Sequence, residues 1–231
     1  MFTSQDGRLY CLGAADGKLI WKYSIDNQIR CTPTVVEDRV FLAGCDAQFH
    51  IIDLDRGKEV GLVDIGAPTG VTPAARGDHV FFGTEGGDFF CVDWRAAKTV
   101  WTFHDPERSQ SIRSCPALTT ATAIFGSRAK RVYAVDLRDG RLIWKITTRR
   151  YVDAAPLVAG RRALVATAGG RLLALDTKTG KQLWEFEAGD GFSGSPVAAA
   201  GRLVIACTDG IVYCFGQSPH GRDGHQEKSS P

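Results

Sequence analysis

The chain has 231 residues, 44% of them hydrophobic and 23% charged, proportions that allow a real core under a wetted surface. Twenty-eight Lys and Arg face 26 Asp and Glu, and the resulting charge of +2 gives no electrostatic case for a nucleic-acid partner. No run approaches the roughly 20 apolar residues of a membrane-spanning helix, so no membrane insertion is expected, and the opening Met1 to Gly7 has neither the basic start nor the apolar stretch of a signal peptide.

From the N-terminus, Asp6 to Gly13 is the first copy of a segment that returns at Asp46 to Asp53, Gly86 to Asp93, Ala129 to Asp136, Gly169 to Asp176 and Asp209 to Gly216. Each alternates apolar residues with others and is bounded by Gly or Asp, the pattern of a half-buried β-strand. Trp21, Gly61, Trp101, Trp144 and Trp184 form a second ladder, and Pro33, Pro73, Pro116, Pro156 and Pro196 a third, all with a period near 40. A unit of that length cannot bury its own apolar faces and must stack on copies of itself. In the last full copy, residues 156–159, 163–168, 171–176 and 181–187 read as four strands. Asp6-Gly7, Gly86-Gly87, Gly169-Gly170 and Asp209-Gly210 suit one hairpin, and Asp16-Gly17, Asp139-Gly140 and Thr179-Gly180 the next. No window shows a helical period. The expected fold is all-β: a β-propeller of four-stranded antiparallel blades, with about five repeats plus an incomplete blade over residues 1–216.

Residues 204–216 align with residues 1–13, so the first copy lacks its first strand and most of its second, and the last copy lacks its fourth. A ring of five blades would borrow residues 18–23 to finish the last blade and leave 8–13 surplus. A ring of six would hold two incomplete blades. The sequence therefore reads as part of a larger propeller whose open strand edges promote self-association. The tail, 217–231, is Gly, Ser, Pro, His and charge and is expected to be disordered.

Tyr133 to Trp144 and Leu173 to Trp184 resemble the pyrroloquinoline-quinone-type propeller repeat found in quinoprotein dehydrogenases and in the outer-membrane assembly lipoprotein BamB. The resemblance covers residues 1–216. Gly61 replaces the tryptophan of the second copy, Gly13 the aspartate of the first, and Ala96-Ala97 the Thr-Gly of the third. It implies closure with seven or eight blades, and a docking role for Trp21, Trp101, Trp144 and Trp184 between neighbouring blades, with Gly61 marking a weaker junction. Trp94 stands out of register, as a half-buried turn residue or an exposed contact. The resemblance points to the cell envelope, whereas an odd number of thiols points to a reducing compartment, and the compartment stays open. Neither quinone nor calcium is expected. The vicinal cysteine pair of the quinoproteins is missing, and Asp53, Asp93, Asp136 and Asp176 recur in register as turn residues rather than as a unique catalytic carboxylate.

The seven cysteines follow the register too: Cys11, Cys91 and Cys214 share one position with Ala134 and Ala174, as small buried thiols do. His50, His79, His104, His220 and His225 break the register but are not paired at ligand spacing, and they read as surface histidines. The remaining variation lies in the loops that enter the blades. Arg30, Gly70, Arg113, Asp153 and Ser193 occupy one position there, preceded by Ile29, Thr69, Ile112, Val152 and Phe192. With the first strand innermost, these residues surround one mouth of the central channel, and the third loop, 104–114, is longer than the others. A variable rim on a repeated scaffold is where binding concentrates. Arg30, Arg113, Asp153, Ser193 and Phe192 are therefore the candidate contacts of a non-catalytic scaffold that takes another protein or a peptide segment. A quinoprotein dehydrogenase fragment or a small-ligand sensor is the alternative.

Overall fold

A computed structural model describes residues 1–192 and 194–216, and these form 22 strands in six antiparallel sheets, with no helix among the described residues. Sheet one holds β1 (Phe2–Ser4), β2 (Arg8–Leu12) and β3 (Leu19–Ser24). Sheet two holds β4 (Thr34–Val36), β5 (Arg39–Ala43), β6 (Gln48–Asp53) and β7 (Glu59–Asp64). Sheet three runs from β8 (Ala74–Arg76) through β9 (His79–Gly83) and β10 (Asp88–Asp93) to β11 (Lys98–His104). Sheet four is β12 (Ala117–Leu118), β13 (Thr122–Ser127), β14 (Arg131–Asp136) and β15 (Leu142–Thr147). Sheet five is β16 (Leu157–Ala159), β17 (Arg162–Ala166), β18 (Arg171–Asp176) and β19 (Gln182–Glu187). Sheet six is β20 (Val197–Ala199), β21 (Arg202–Ala206) and β22 (Val212–Gly216). Within each sheet, strands consecutive in sequence are neighbours, so each sheet is a simple meander and one propeller blade.

Blades two to five carry four strands and the end blades three. Cys11 lies opposite Trp21, so residues 18–23 finish the first blade and are not lent to the last. Among the described residues the chain thus forms six blades, of which the first and the last have three strands.

Each proline directly precedes a first strand, the one place in a sheet where a missing N–H costs no ladder bond. Those first strands face the axis. β4 touches β8 and β12 touches β16. Hydrogen bonds also link equivalent positions of neighbouring blades: the Thr32 N–H donates to Thr72 Oγ1 (3.0 Å), Ser114 Oγ–H to the Ala154 carbonyl (2.9 Å) and the Ala155 N–H to Ser195 Oγ (2.9 Å). The middle strands are the most buried. The outer strands alternate between covered and exposed. Every outer strand also carries a β-bulge beside the tryptophan position, with Ile20, Val60, Val100, Ile143 and Leu183 at the bulge. A bulged edge is a poor template for pairing with another strand.

Blades dock through indoles. Trp21 Nε1–H donates to the Leu54 carbonyl (2.9 Å), Trp101 to that of Leu137 (3.2 Å) and Trp144 to that of Thr177 (3.0 Å), each on the next blade. The ring lies over a glycine in the partner's turn. A Cβ on Gly180 would sit 2.7 Å from Trp144 Cδ2, and φ there is +70°, so only glycine fits on both counts. Gly57 and Gly140 lie under Trp21 and Trp101 in the same way.

Two tryptophans depart from the sequence reading. Trp184 is 41% exposed rather than enclosed. The position that would receive its N–H, one repeat beyond Thr177, is Gln217, which lies outside the described residues, as does the whole 217–231 tail. Trp94 is only 4% exposed, neither a contact residue nor half-buried. It fills the junction where Gly61 stands in place of the repeated tryptophan. It packs on Phe41 at 5.6 Å and donates to the Gly77 carbonyl (3.0 Å). The glycine that would lie under an indole is here Ala97, whose Cβ closes against Gly61. The indole has moved to the other blade, and the junction does not lack one.

Candidate functional site

The blade-entry loops are held from both sides. One residue of each loop accepts a bond from its own blade: Cys45 donates to Gln28, Glu85 to Pro68, Arg128 to Ser111, Ala168 to Tyr151 and Thr208 to Gly191, at 2.8–3.3 Å. The next residue donates back to the preceding blade: Thr69 to Gly44, Ile112 to Thr84, Val152 to Ser127 and Phe192 to Thr167. Their side chains are buried as wedges, together with Ile29, all at or below 4% exposure. This corrects Phe192 as a contact residue: it sits in a cluster with Ala154, Ala166, Leu172, Ile205 and Cys207 and cannot reach a partner. Ser193 lies outside the described residues.

The following residue therefore projects from a rigid base. Arg30 and Arg113 are exposed and Asp153 is half-buried. Their electrostatics differ. Arg113 Nη2 pairs with Glu85 at 3.1 Å. Asp153 is gripped by Arg128 through Nε (3.2 Å) and Nη2 (2.7 Å), a bond that raises the Arg128 pKa, and the guanidinium also lies over the Tyr151 ring at 4.9 Å. Arg30 donates only to the neutral Gln28 side chain, at 2.9 and 3.2 Å. Among the described residues it has no carboxylate partner, so the two arginines are unequal: one is free to receive an anion and one is already engaged.

The long third loop is stapled at its base. Asp105, 4% exposed, accepts from Tyr133 Oη (2.8 Å) and from Arg131, and Lys145 Nζ lies 3.6 Å away. Burial pushes its pKa up, but the hydrogen bonds from Tyr133 and Arg131 outweigh burial and hold the carboxyl below its ordinary value. Glu107 completes the cluster with Lys145 (2.8 Å) and Arg131 (3.2 Å). Beyond it, Ser109 and Ser111 tie the loop to the Gly86 and Glu85 carbonyls, and Arg108 is exposed at the tip.

Calcium asks for several converging oxygen donors. The carboxylates here, Glu85 and Asp153, are bound to arginines, and no cluster of metal-ligating side chains converges among the described residues. All seven cysteines are free thiols. Burial pushes Cys31 up to about 11 and Cys91 up to about 12, which makes them inert. Cys214 is exposed, contrary to its register, because no fourth strand covers β22 among the described residues.

Sequence reasoning also missed His50. It is 4% exposed, not a surface residue, and joins the first two blades: Nε2 lies 3.0 Å from Asp46, and Nδ1 lies 2.9 Å from both Glu59 and the Tyr23 hydroxyl. Burial and Glu59 push the Tyr23 hydroxyl pKa well up. The only sequence signal is that His50 stands where Tyr10, Phe90 and Tyr133 stand in other blades, on the covered face of the third strand.

Six antiparallel meanders, docked at three junctions by in-register indoles, make this a propeller of the pyrroloquinoline-quinone repeat type. A family model described as "Outer membrane protein assembly factor BamB" matches residues 1–153 and 128–224, and the chain belongs to that family. The structure is similar to BamB from Moraxella catarrhalis, with a TM-score of 0.78 and 21% identity over 92% of this chain and 68% of that one, a likeness of fold. Among curated proteins, a quinohemoprotein alcohol dehydrogenase, ADH IIB, of Pseudomonas putida is 26% identical over 157 residues. That match takes in 64% of this chain but only 19% of the dehydrogenase, so the matched segment spans about a fifth of that relative's length.

Proposed function

We propose that the chain is a non-catalytic propeller scaffold that engages another protein, or a peptide segment of one, through the rim formed by Arg30, Arg113, Asp153 and the 104–114 loop. The observation that carries this is the contrast within each entry loop. The wedge residue is buried in all five entry loops, whereas the residue after it differs in charge from loop to loop, with Arg30 and Arg113 exposed and Asp153 half-buried. Folding alone gives no reason for that variation. Membership of a family described as an assembly factor supports a protein partner. Arg30, which has no carboxylate partner among the described residues, is the anchor for an acidic group, and salt weakens that attraction.

The test is capture from an extract of the source cells on immobilised protein. The Arg30→Ala/Arg113→Ala double variant is expected to lose captured partner with no change in Tm. Capture unaffected by the double change removes the reading. The competing reading, a quinoprotein fragment, draws on the dehydrogenase relative. It predicts a saturable absorbance change on titration with pyrroloquinoline quinone and calcium, where the scaffold reading expects none.

A further inference from the structure

On the face opposite the entry loops, the same three positions recur at every complete junction: the tip of one blade's first hairpin, the tip of the next blade's first hairpin, and the turn after that blade's third strand. Between blades two and three they are Glu37, Asp78 and Arg95. The Arg95 guanidinium lies between the two acids, with Nη2 3.0 Å from both Glu37 oxygens and Nε 2.7 Å from Asp78. Between blades four and five the corresponding residues are Thr120, Arg161 and Lys178. Both acids are gone and a second cation has taken the place of one. A cleft of about 690 Å³ opens at this junction, and Arg76 of the third blade also reaches it. Arg76 donates to the Thr119 carbonyl, and Arg161 has one bond to Asp176 at 3.2 Å. Lys178 and Arg76 have no carboxylate partner among the described residues. The floor is aliphatic, from Leu118, Ile143 and Val158.

We infer that this cleft binds an acidic peptide segment, with carboxylates supplied from outside at the places that Glu37 and Asp78 fill from within at the other junction. Three cations without an equal number of acids attract negative charge. The aliphatic floor offers nothing to a small inorganic anion but suits a Leu or Val side chain beside the acidic residues. Desolvation over that floor strengthens the charge pairing. The site is independent of the channel rim, which lies on the opposite face.

The probe is a fluorescein-labelled peptide with Leu-Glu-Asp-Leu at its centre, followed by anisotropy against the whole chain. Saturable binding is expected, weakened at least tenfold by Lys178→Glu and at least tenfold when Gln-Asn replaces Glu-Asp in the peptide. Thr120→Glu transplants the acid of the closed junction. It should weaken binding by a similar factor while raising Tm, so loss of binding then cannot be ascribed to misfolding. Arg30→Ala/Arg113→Ala should leave this binding unchanged. The inference is overturned by no saturation at millimolar protein, by equal affinity for the Gln-Asn peptide, or by affinity unaltered in both Lys178→Glu and Thr120→Glu. Displacement of the peptide by submillimolar inorganic phosphate would overturn it too, in favour of a small-anion site.

Discussion

The junction between blades four and five and the junction between blades two and three solve one packing problem in opposite senses. In the first, Trp144 reaches forward from an outer strand and lies on Gly180 of the next blade. In the second, the forward position is Gly61, the glycine has become Ala97, and Trp94 reaches back to occupy the space. The two substitutions that look like decay of the repeat are two halves of one exchange. What both junctions have is one indole ring packed across the interface, whichever blade supplies it; the N–H finds its carbonyl across the junction for Trp144, at Thr177, and within its own blade for Trp94, at Gly77. Around that shared indole the polar shell is free to differ, closed by Arg95 between two acids in one case and left cationic in the other.

Trp144→Ala should be the most damaging single change, at about 3–5 kcal/mol, because it removes a large buried ring and strands the Thr177 carbonyl. A lowered urea midpoint would show it, and an unchanged midpoint would remove the docking role. Trp184→Ala should cost far less, since that ring is 41% exposed. Asp105→Ala should cost about 3 kcal/mol, by leaving Arg131 and Lys145 without their buried carboxylate. The same group sets a pH dependence. Its folded pKa lies below the unfolded value, so its contribution is complete above the ordinary carboxyl range of about 4 and is lost as pH falls through the lower folded value. Asp136, pulled down to about 2 first by the Arg138 side chain and then by the Arg138 N–H, acts in the same sense. Tm should therefore fall steadily from pH 5 toward pH 2, with a smaller fall in Asp105→Ala. Arg95→Ala should move the urea midpoint least of these, because its ion pairs are exposed and screened by solvent. Iodoacetamide at pH 8 should label Cys214 in the native protein and spare Cys31 and Cys91, leaving stability unaltered.

The fold was legible because the period repeats its own evidence: strand alternation, turn glycines and strand-opening prolines recur in every copy, and β18, Arg171–Asp176, lies where its alternation placed it. What the register could not show was compensation between copies. Gly61, Ala97 and Trp94 each look like an isolated departure until the blades are stacked, because their contact crosses a junction and not a strand. His50 was hidden for the same reason, as its partner Tyr23 belongs to the blade before. At the rim, the register located Arg30, Arg113 and Asp153, but the acid beside Arg113 and the base beside Asp153 come from the second-strand turn, Glu85 and Arg128. Phe192 was misjudged because the sequence marks the wedge and the exposed residue as adjacent without saying which of the two turns inward.

The exchange of indoles is tested most directly by moving one back. Trp94→Leu places at that turn the residue found at Leu54 and Leu137, and should lower stability by about 2–4 kcal/mol. Adding Gly61→Trp and Ala97→Gly rebuilds the forward arrangement of the other junctions. If one indole per junction is what holds these blades, the triple variant should recover most of the urea midpoint lost by Trp94→Leu alone. A triple variant no more stable than Trp94→Leu would contradict the account.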